Sequence, residues 1–308
     1  MTNRGRMFSS LVFLLVAAIM VPSITGRFAA DETTVTELAP GVFFRKTQTE
    51  PEFIGCNQGW VEFKDFVLVI DSNFPNQAEV VIDLIRQQTD KPIKYVFDTH
   101  HHGDHADGNA IFKKIGATPI ASQRSRAMFE TLGVEGFETS KKEKPDEYGP
   151  LKYEYPTIYF PERMIFDDGE MRVELIWSGH AHTIGDAVAW LPRHGILFTG
   201  DSIVNGAFNF TGHSNTASWI NVIDKLSELP IKMIAPGHGE PSNKGLLKTQ
   251  KRYFVEMRKI IGKAIKDGKS LDEIKESIEL PFYEKWTGVN VKERTENIEH
   301  IYGELTGK

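Results

Sequence analysis

Four of the ten histidines fall within six consecutive positions, in the run Thr99-His100-His101-His102-Gly103-Asp104-His105. Imidazole is the commonest side-chain metal ligand, and zinc accepts nitrogen and oxygen donors readily. His100 and His102 stand two apart, so on extended backbone they project to one side while His101 projects to the other. Asp104 and His105 are adjacent and must turn away from the first pair. One tight bend could therefore supply donors to two cations. The run follows the apolar stretch Tyr95–Phe97 directly. A His tract in a tail reads as a nonspecific metal sink, whereas the end of a strand in an α/β sheet is where ligands usually bind.

The elements around the run set that context. Strand-like segments are expected at Val42–Arg45, Gly59–Phe63 and Phe66–Ile70, the last ending in Asp71-Ser72-Asn73. A helix over Asn76–Gln88 is expected from Ala78, Val81, Ile82 and Ile85 at helical spacing. The next strand, Ile93–Asp98, leads into the histidines, and strand–helix–strand order implies α/β layers. Residues 123–132 read as a helix. Residues 133–162 read as a mobile, polar connection, either a binding loop or a solvated spacer. Strands return at Met164–Phe166, Met171–Ser178, Ala187–Leu191, Ile196–Phe198 and Met233–Ala235, with a hairpin turn at Asp167–Glu170. Helices are expected over Ala217–Leu229, Lys244–Lys266, a short segment opened by the capping box Ser270–Glu273, and Asn290–Leu305.

The chain has 308 residues, 40% of them apolar, with 25% charged and 11% aromatic. This is the composition of a folded chain rather than a disordered one. The single cysteine, Cys56, excludes an internal disulfide and any multi-cysteine zinc or iron–sulfur site, and reads as a small buried residue. Residues 1–30 read as a signal peptide: Arg4 and Arg6 precede the apolar run Leu11–Val21, which is too short to span a bilayer and is broken by Pro22. The expected mature domain is 31–308, periplasmic or secreted, with no stable membrane association after cleavage. Loss of Arg4, Arg6 and Arg27 takes the net charge from −6 to −9. That excess of acid argues against a nucleic-acid partner.

His100-x-His102-x-Asp104-His105 resembles the signature of the metallo-β-lactamase fold superfamily. The likeness continues in His182-Thr183-Ile184-Gly185-Asp186, in Phe198-Thr199-Gly200-Asp201 and in Pro236-Gly237-His238-Gly239, each at an expected strand end and in family order. It implies a four-layer αβ/βα sandwich. It also implies two metal sites: His100, His102 and His182 for one ion, Asp104, His105 and His238 for the other, and Asp201 bridging both. The implied cofactors are two divalent ions, Zn2+ first, with iron or manganese as alternatives. Thr183, Asp186 and Asp98 are candidates to support the ligands through hydrogen bonds.

The resemblance implies a metal-dependent hydrolase acting on a small-molecule substrate. A hydroxide held between the ions would attack an ester, thioester, lactone or β-lactam carbonyl, with Asp104 orienting it and relaying its proton. Two carboxylates against two divalent cations leave positive charge, so an anionic substrate is expected. Asp201, where one group of β-lactamases has Cys, points towards thioesterases of the glyoxalase II kind or lactonases. The other readings are a non-catalytic exported metal-binding or maturation factor, and an iron-dependent sulfur dioxygenase. Of the remaining histidines, His180 competes with His182, His194 reads as exposed and His300 as structural. His213 is within reach of the pocket. The loop Asn205–Asn215 is a candidate substrate wall through Asn205, Asn209 and Phe210. Trp60 reads as a core aromatic.

Overall fold

The computed structural model describes residues 34–47, 55–206, 209–279 and 291–308, with residues 34 and 291–293 described in backbone only. The expected signal segment 1–30 lies outside the described residues. The elements follow in chain order. They are β1 (Thr34–Ala39), β2 (Val42–Lys46), β3 (Gln58–Glu62), β4 (Val67–Ile70), α1 (Pro75–Gln88) and β5 (Ile93–Phe97). Next come α2 (Gly103–Ala106), α3 (Asn109–Lys114), β6 (Thr118–Ser122), α4 (Arg126–Met128), α5 (Val134–Glu143) and α6 (Pro145–Tyr148). Then follow β7 (Ile158–Phe160), β8 (Arg163–Asp167), β9 (Arg172–Trp177), β10 (Ala187–Leu191), β11 (Ile196–Phe198) and α7 (Thr216–Ser227). Last are β12 (Met233–Ala235), α8 (Gly245–Lys266), α9 (Leu271–Ser277) and α10 (Val291–Thr306).

Strands β1 to β7 form one sheet in sequence order, and β12-β11-β10-β9-β8 form a second. Alternation along the strands sorts side chains to two faces. In β4, Leu68 and Ile70 enter the layer between the sheets, while Val67 and Val69 meet Ala78, Val81, Ile82 and Ile85 of α1. In the second sheet Ala187 and Ala189 face inward, while Val188 and Trp190 pack outward with Trp219, Tyr253 and Phe254 of α7 and α8. Three apolar layers therefore separate helices, sheet, sheet and helices, which is the expected αβ/βα sandwich. Gly59 marks how closely the sheets approach. A Cβ there would lie 2.3 Å from the Phe198 ring.

The segment 133–162 departs from expectation. It is not a mobile connection but α5, α6 and β7. Phe137 and Tyr148 are fully buried beside α1 and α3, and the Tyr148 hydroxyl donates to Asp107 Oδ2 at 3.0 Å. Sparse apolar anchors in a charged stretch hide such a helix from periodicity. Before it, residues 123–133 wind as a 3-10 turn, a short α turn and a π turn over Phe129–Gly133. The capping box at Ser270 is present, with Glu273 reaching back to the Ser270 backbone. Among the described residues no helix is long and apolar enough to cross a membrane.

Candidate metal centre

Both sheets end at one edge, and the chemistry-bearing side chains leave from there. His100 to His105 follow β5, His182 lies in the β9–β10 connection, Asp201 follows β11 and His238 follows β12. Gly200 makes the turn into Asp201 with φ +48°, and a Cβ there would sit 2.3 Å from Thr99 Oγ1. Only glycine meets both demands.

The seven expected residues converge. His102 Nδ1 lies 3.1 Å from His100 Nε2 and 2.9 Å from His182 Nε2. His105 Nε2 lies 3.4 Å from Asp104 Oδ2 and 3.2 Å from Asp201 Oδ1. His238 Nε2 lies 3.3 Å from both Asp104 Oδ2 and Asp201 Oδ2. Asp201 Oδ2 also lies 3.6 Å from His182 Nε2, so one carboxylate touches both clusters.

Each of the five rings is contacted at its outer nitrogen, while its inner nitrogen faces the other members of the clusters. His182 Nδ1 donates to the Phe210 carbonyl at 3.0 Å, and His238 Nδ1 to the Gly55 carbonyl at 2.9 Å. His105 Nδ1 donates to Asp71 Oδ2 at 2.9 Å, with Cys56 Sγ 3.3 Å away. His100 Nδ1 lies 3.1 Å from Thr99 Oγ1, and His102 Nε2 lies 2.8 Å from His213 Nδ1. This is the usual second layer of a metal site, where outer hydrogen bonds fix tautomer and ring angle. Asp71 closes the layer by accepting from Thr99 N at 2.8 Å and Thr99 Oγ1 at 3.2 Å.

The donor chemistry fits divalent cations. Three N donors form one cluster, two imidazoles with Asp104 form the other, and Asp201 lies beside both. His105 Nε2 and Asp201 Oδ1 are buried without a hydrogen-bond partner, although each faces the other cluster members. Burial and neighbouring imidazoles hold His100 and His102 neutral, and burial lowers His182 to about 4. Neutral imidazole is the form that binds metal. In the second cluster burial pushes Asp104 and Asp201 up, but His105 and His238 outweigh it and hold both well below the carboxylate range. Burial opposes charge on His238, yet Asp201 and Asp104 raise it to about 10.

The remaining candidates separate clearly. His180 turns away to the His213 carbonyl at 3.1 Å, so His182 is the converging residue. His213, Phe210 and Asp104 help line a cleft of about 390 Å³ over the two clusters. Asn209 does not line it; its side chain is buried and accepts from Gln250, while Asn205 donates to the Glu240 carbonyl at 2.7 Å. Asp186 accepts from Thr183 N at 3.0 Å and Thr183 Oγ1 at 2.6 Å, and Asp98 accepts from Asn109 Nδ2 at 2.6 Å. Trp60 is a buried core residue stacked on Phe43. His194, expected to be exposed, is half-buried, with Nδ1 enclosed in its turn. Asp71 and Cys56 were not legible as parts of the site. The only signal was Asp71 at a strand end, where it takes φ +62°.

The family model of the metallo-beta-lactamase superfamily matches residues 51–238, a span that contains every converging side chain. The chain belongs to the metallo-beta-lactamase superfamily. Within it, the chain is similar to a metallo-beta-lactamase type 2 of Bacillus cereus, 25% identical over 187 residues, covering 59% of this chain and 66% of that relative. It thus spans just under two thirds of that relative's length. It is also similar to a hydroxyacylglutathione hydrolase of Tolumonas auensis, 24% identical over 172 residues, covering 56% of each. Among solved structures, VMB-1 superposes with a TM-score of 0.62 at 22% identity, over 74% of this chain and 99% of that one. The likeness at that identity is one of fold.

Proposed function

We propose that this protein is an exported metal-dependent hydrolase that opens an ester, thioester or lactone carbonyl, with β-lactams as a secondary class. His100, His102 and His182 would hold one divalent ion, Asp104, His105 and His238 a second, and Asp201 would touch both; zinc suits the donor set best. The ions supply Lewis acidity, drawing charge from the carbonyl under attack and acidifying water at neutral pH. Asp104 is 23% exposed at the cleft, so it can orient an attacking water and take up its proton. Phe210 and His213 wall the cleft and restrict water around the scissile bond. Net positive charge at the loaded centre favours an anionic substrate.

The carrying observation is Asp201, within 3.6 Å of both the three-histidine cluster and the mixed cluster. A complete second cluster supports hydrolysis over a one-site iron dioxygenase or a binding-only factor. The similarity to a hydroxyacylglutathione hydrolase supports a thioester among the substrates. Export rests on the composition of residues 1–30.

Elemental analysis of purified protein, followed by a panel of thioester, ester, lactone, phosphodiester and nitrocefin substrates, tests the reading. About two equivalents of metal and turnover of a carbonyl substrate are expected. Fully loaded protein that leaves every carbonyl substrate intact would refute it.

A further inference from the structure

A second cavity of about 310 Å³ adjoins the cleft. The two share His102, Gly103, Asp104 and His213, so they are two halves of one depression. The far wall is mostly apolar, with Phe74, Leu132 and Phe137, and also carries Asp107 and Ser140. Phe137 comes from α5, within the segment expected to be a connection, and Leu132 from the π turn just before it. The volume suits one compact organic group.

Two further features of its lining bear on what it could hold. His101 lines the cavity at 2% exposure, and neither of its ring nitrogens has a hydrogen-bond partner in the protein. An imidazole offers one N–H and one acceptor nitrogen, and leaving both buried and unpaired is costly. Gly136 also lines it, and a Cβ added there would meet nothing within 4 Å. Gly136 is exposed, so a larger side chain there has room to reach into the space.

We propose that this cavity receives the apolar arm of the substrate: an aromatic or branched alkyl group, joined through a hydrogen-bonding atom to the carbonyl compound that reacts in the cleft. The apolar wall takes the body of the arm, and the His101 ring, whose nitrogens are enclosed, turns to meet its polar atom. Continuity with the cleft through Gly103 and Asp104 places the arm within a few bonds of the reacting centre. The proposal rests on the hydrolase reading for the identity of the carbonyl compound, not for occupancy of the cavity.

The test begins with binding of phenylacetamide to the zinc-loaded protein, read by ligand-observed NMR without turnover. Gly136→Leu should weaken it at least tenfold; the substitution raises helix propensity, so the fold is retained. Two thioester series then follow, acetyl to phenylacetyl with a constant thiol, and methyl to benzyl thiol with a constant acetyl. The aryl member should be preferred at least about tenfold in kcat/KM in one series, in the range a filled hydrophobic pocket gives. Gly136→Leu should abolish that preference through KM, and Leu132→Ala should move it towards a naphthyl arm. The responding series assigns the arm to the acyl or the leaving-group side. Absent binding, or equal binding in wild type and Gly136→Leu, would overturn the proposal. Binding that persists without hydrolysis of either series would sink the hydrolase reading alone.

Discussion

His213 Nδ1 lies 2.8 Å from His102 Nε2, on the side of the ring opposite the three-histidine cluster. For His102 to present a bare Nδ1, its proton must sit on Nε2, and His213 is the acceptor that keeps it there. His213→Leu should therefore weaken the first ion by 10- to 100-fold, as loss of such supporting bonds generally does. His213→Gln, whose carbonyl can accept the same proton, should retain most of the affinity. Chelator competition on the two variants decides the matter, and equal affinities would show that the bond sets nothing.

Asp71 performs the corresponding service for the second cluster, but from a left-handed backbone position at φ +62°. Asparagine tolerates that conformation better than most residues, so Asp71→Asn should fold. Its one carbonyl oxygen can accept from His105 or from Thr99 N but not from both, and the charge is gone. We expect the second equivalent of metal to bind about tenfold more weakly while the first is unchanged, read by titration of the apoprotein.

Gly237 has no role in coordination, yet a Cβ there would lie 2.2 Å from Asp201 Oδ1 and 2.7 Å from the Gly200 carbonyl carbon. Gly237→Ala should push the shared carboxylate out of place. The expected result is loss of metal stoichiometry and at least a hundredfold drop in turnover, with far-ultraviolet circular dichroism preserved. Full metal content in this variant would contradict the closeness of the packing.

Glu304 on α10 accepts from Thr216 N at 2.7 Å, from Arg258 and from His300 at 3.1 Å. Burial raises its pKa, but the bonds from His300 and Thr216 outweigh that and bring it from 4.5 to about 2. A carboxylate depressed on folding stabilises above its unfolded pKa and loses that contribution as pH falls through its folded one. Stability from this group should be complete above pH 4.5 and decline towards pH 2. For a partly exposed group it amounts to roughly 1–2 kcal/mol after solvent screening. Urea unfolding between pH 2 and 6 should show Glu304→Gln less stable at pH 6, with the gap closing at the acid end.

The convergence of the seven candidate ligands was legible in sequence because metal chemistry would restrict both residue type and spacing. His100, His102, Asp104 and His105 lie on one bend, and His182, Asp201 and His238 each stand at a strand end. The supporting layer was far less legible. His105 and Asp71 are 34 residues apart and meet only because β4 and β5 pair in parallel. Cys56 read as an inert small residue, yet its sulfur faces the same ring nitrogen. Strand β6 escaped notice because Pro119 sits inside it, and proline is a poor strand signal. Helix α5 escaped because a single fully buried aromatic, Phe137, anchors it among charges.

The donors come from two sheets: His100 to His105 from the β1–β7 sheet, and His182, Asp201 and His238 from the β8–β12 sheet. A cation bound there acts as a rivet through both halves of the sandwich. Shear or hinging between the halves must first tear the coordination apart, so occupancy and inter-sheet rigidity should rise and fall together. Stripping the metal would then loosen the Phe198–Gly59 contact deep in the interior, well away from the vacated donors.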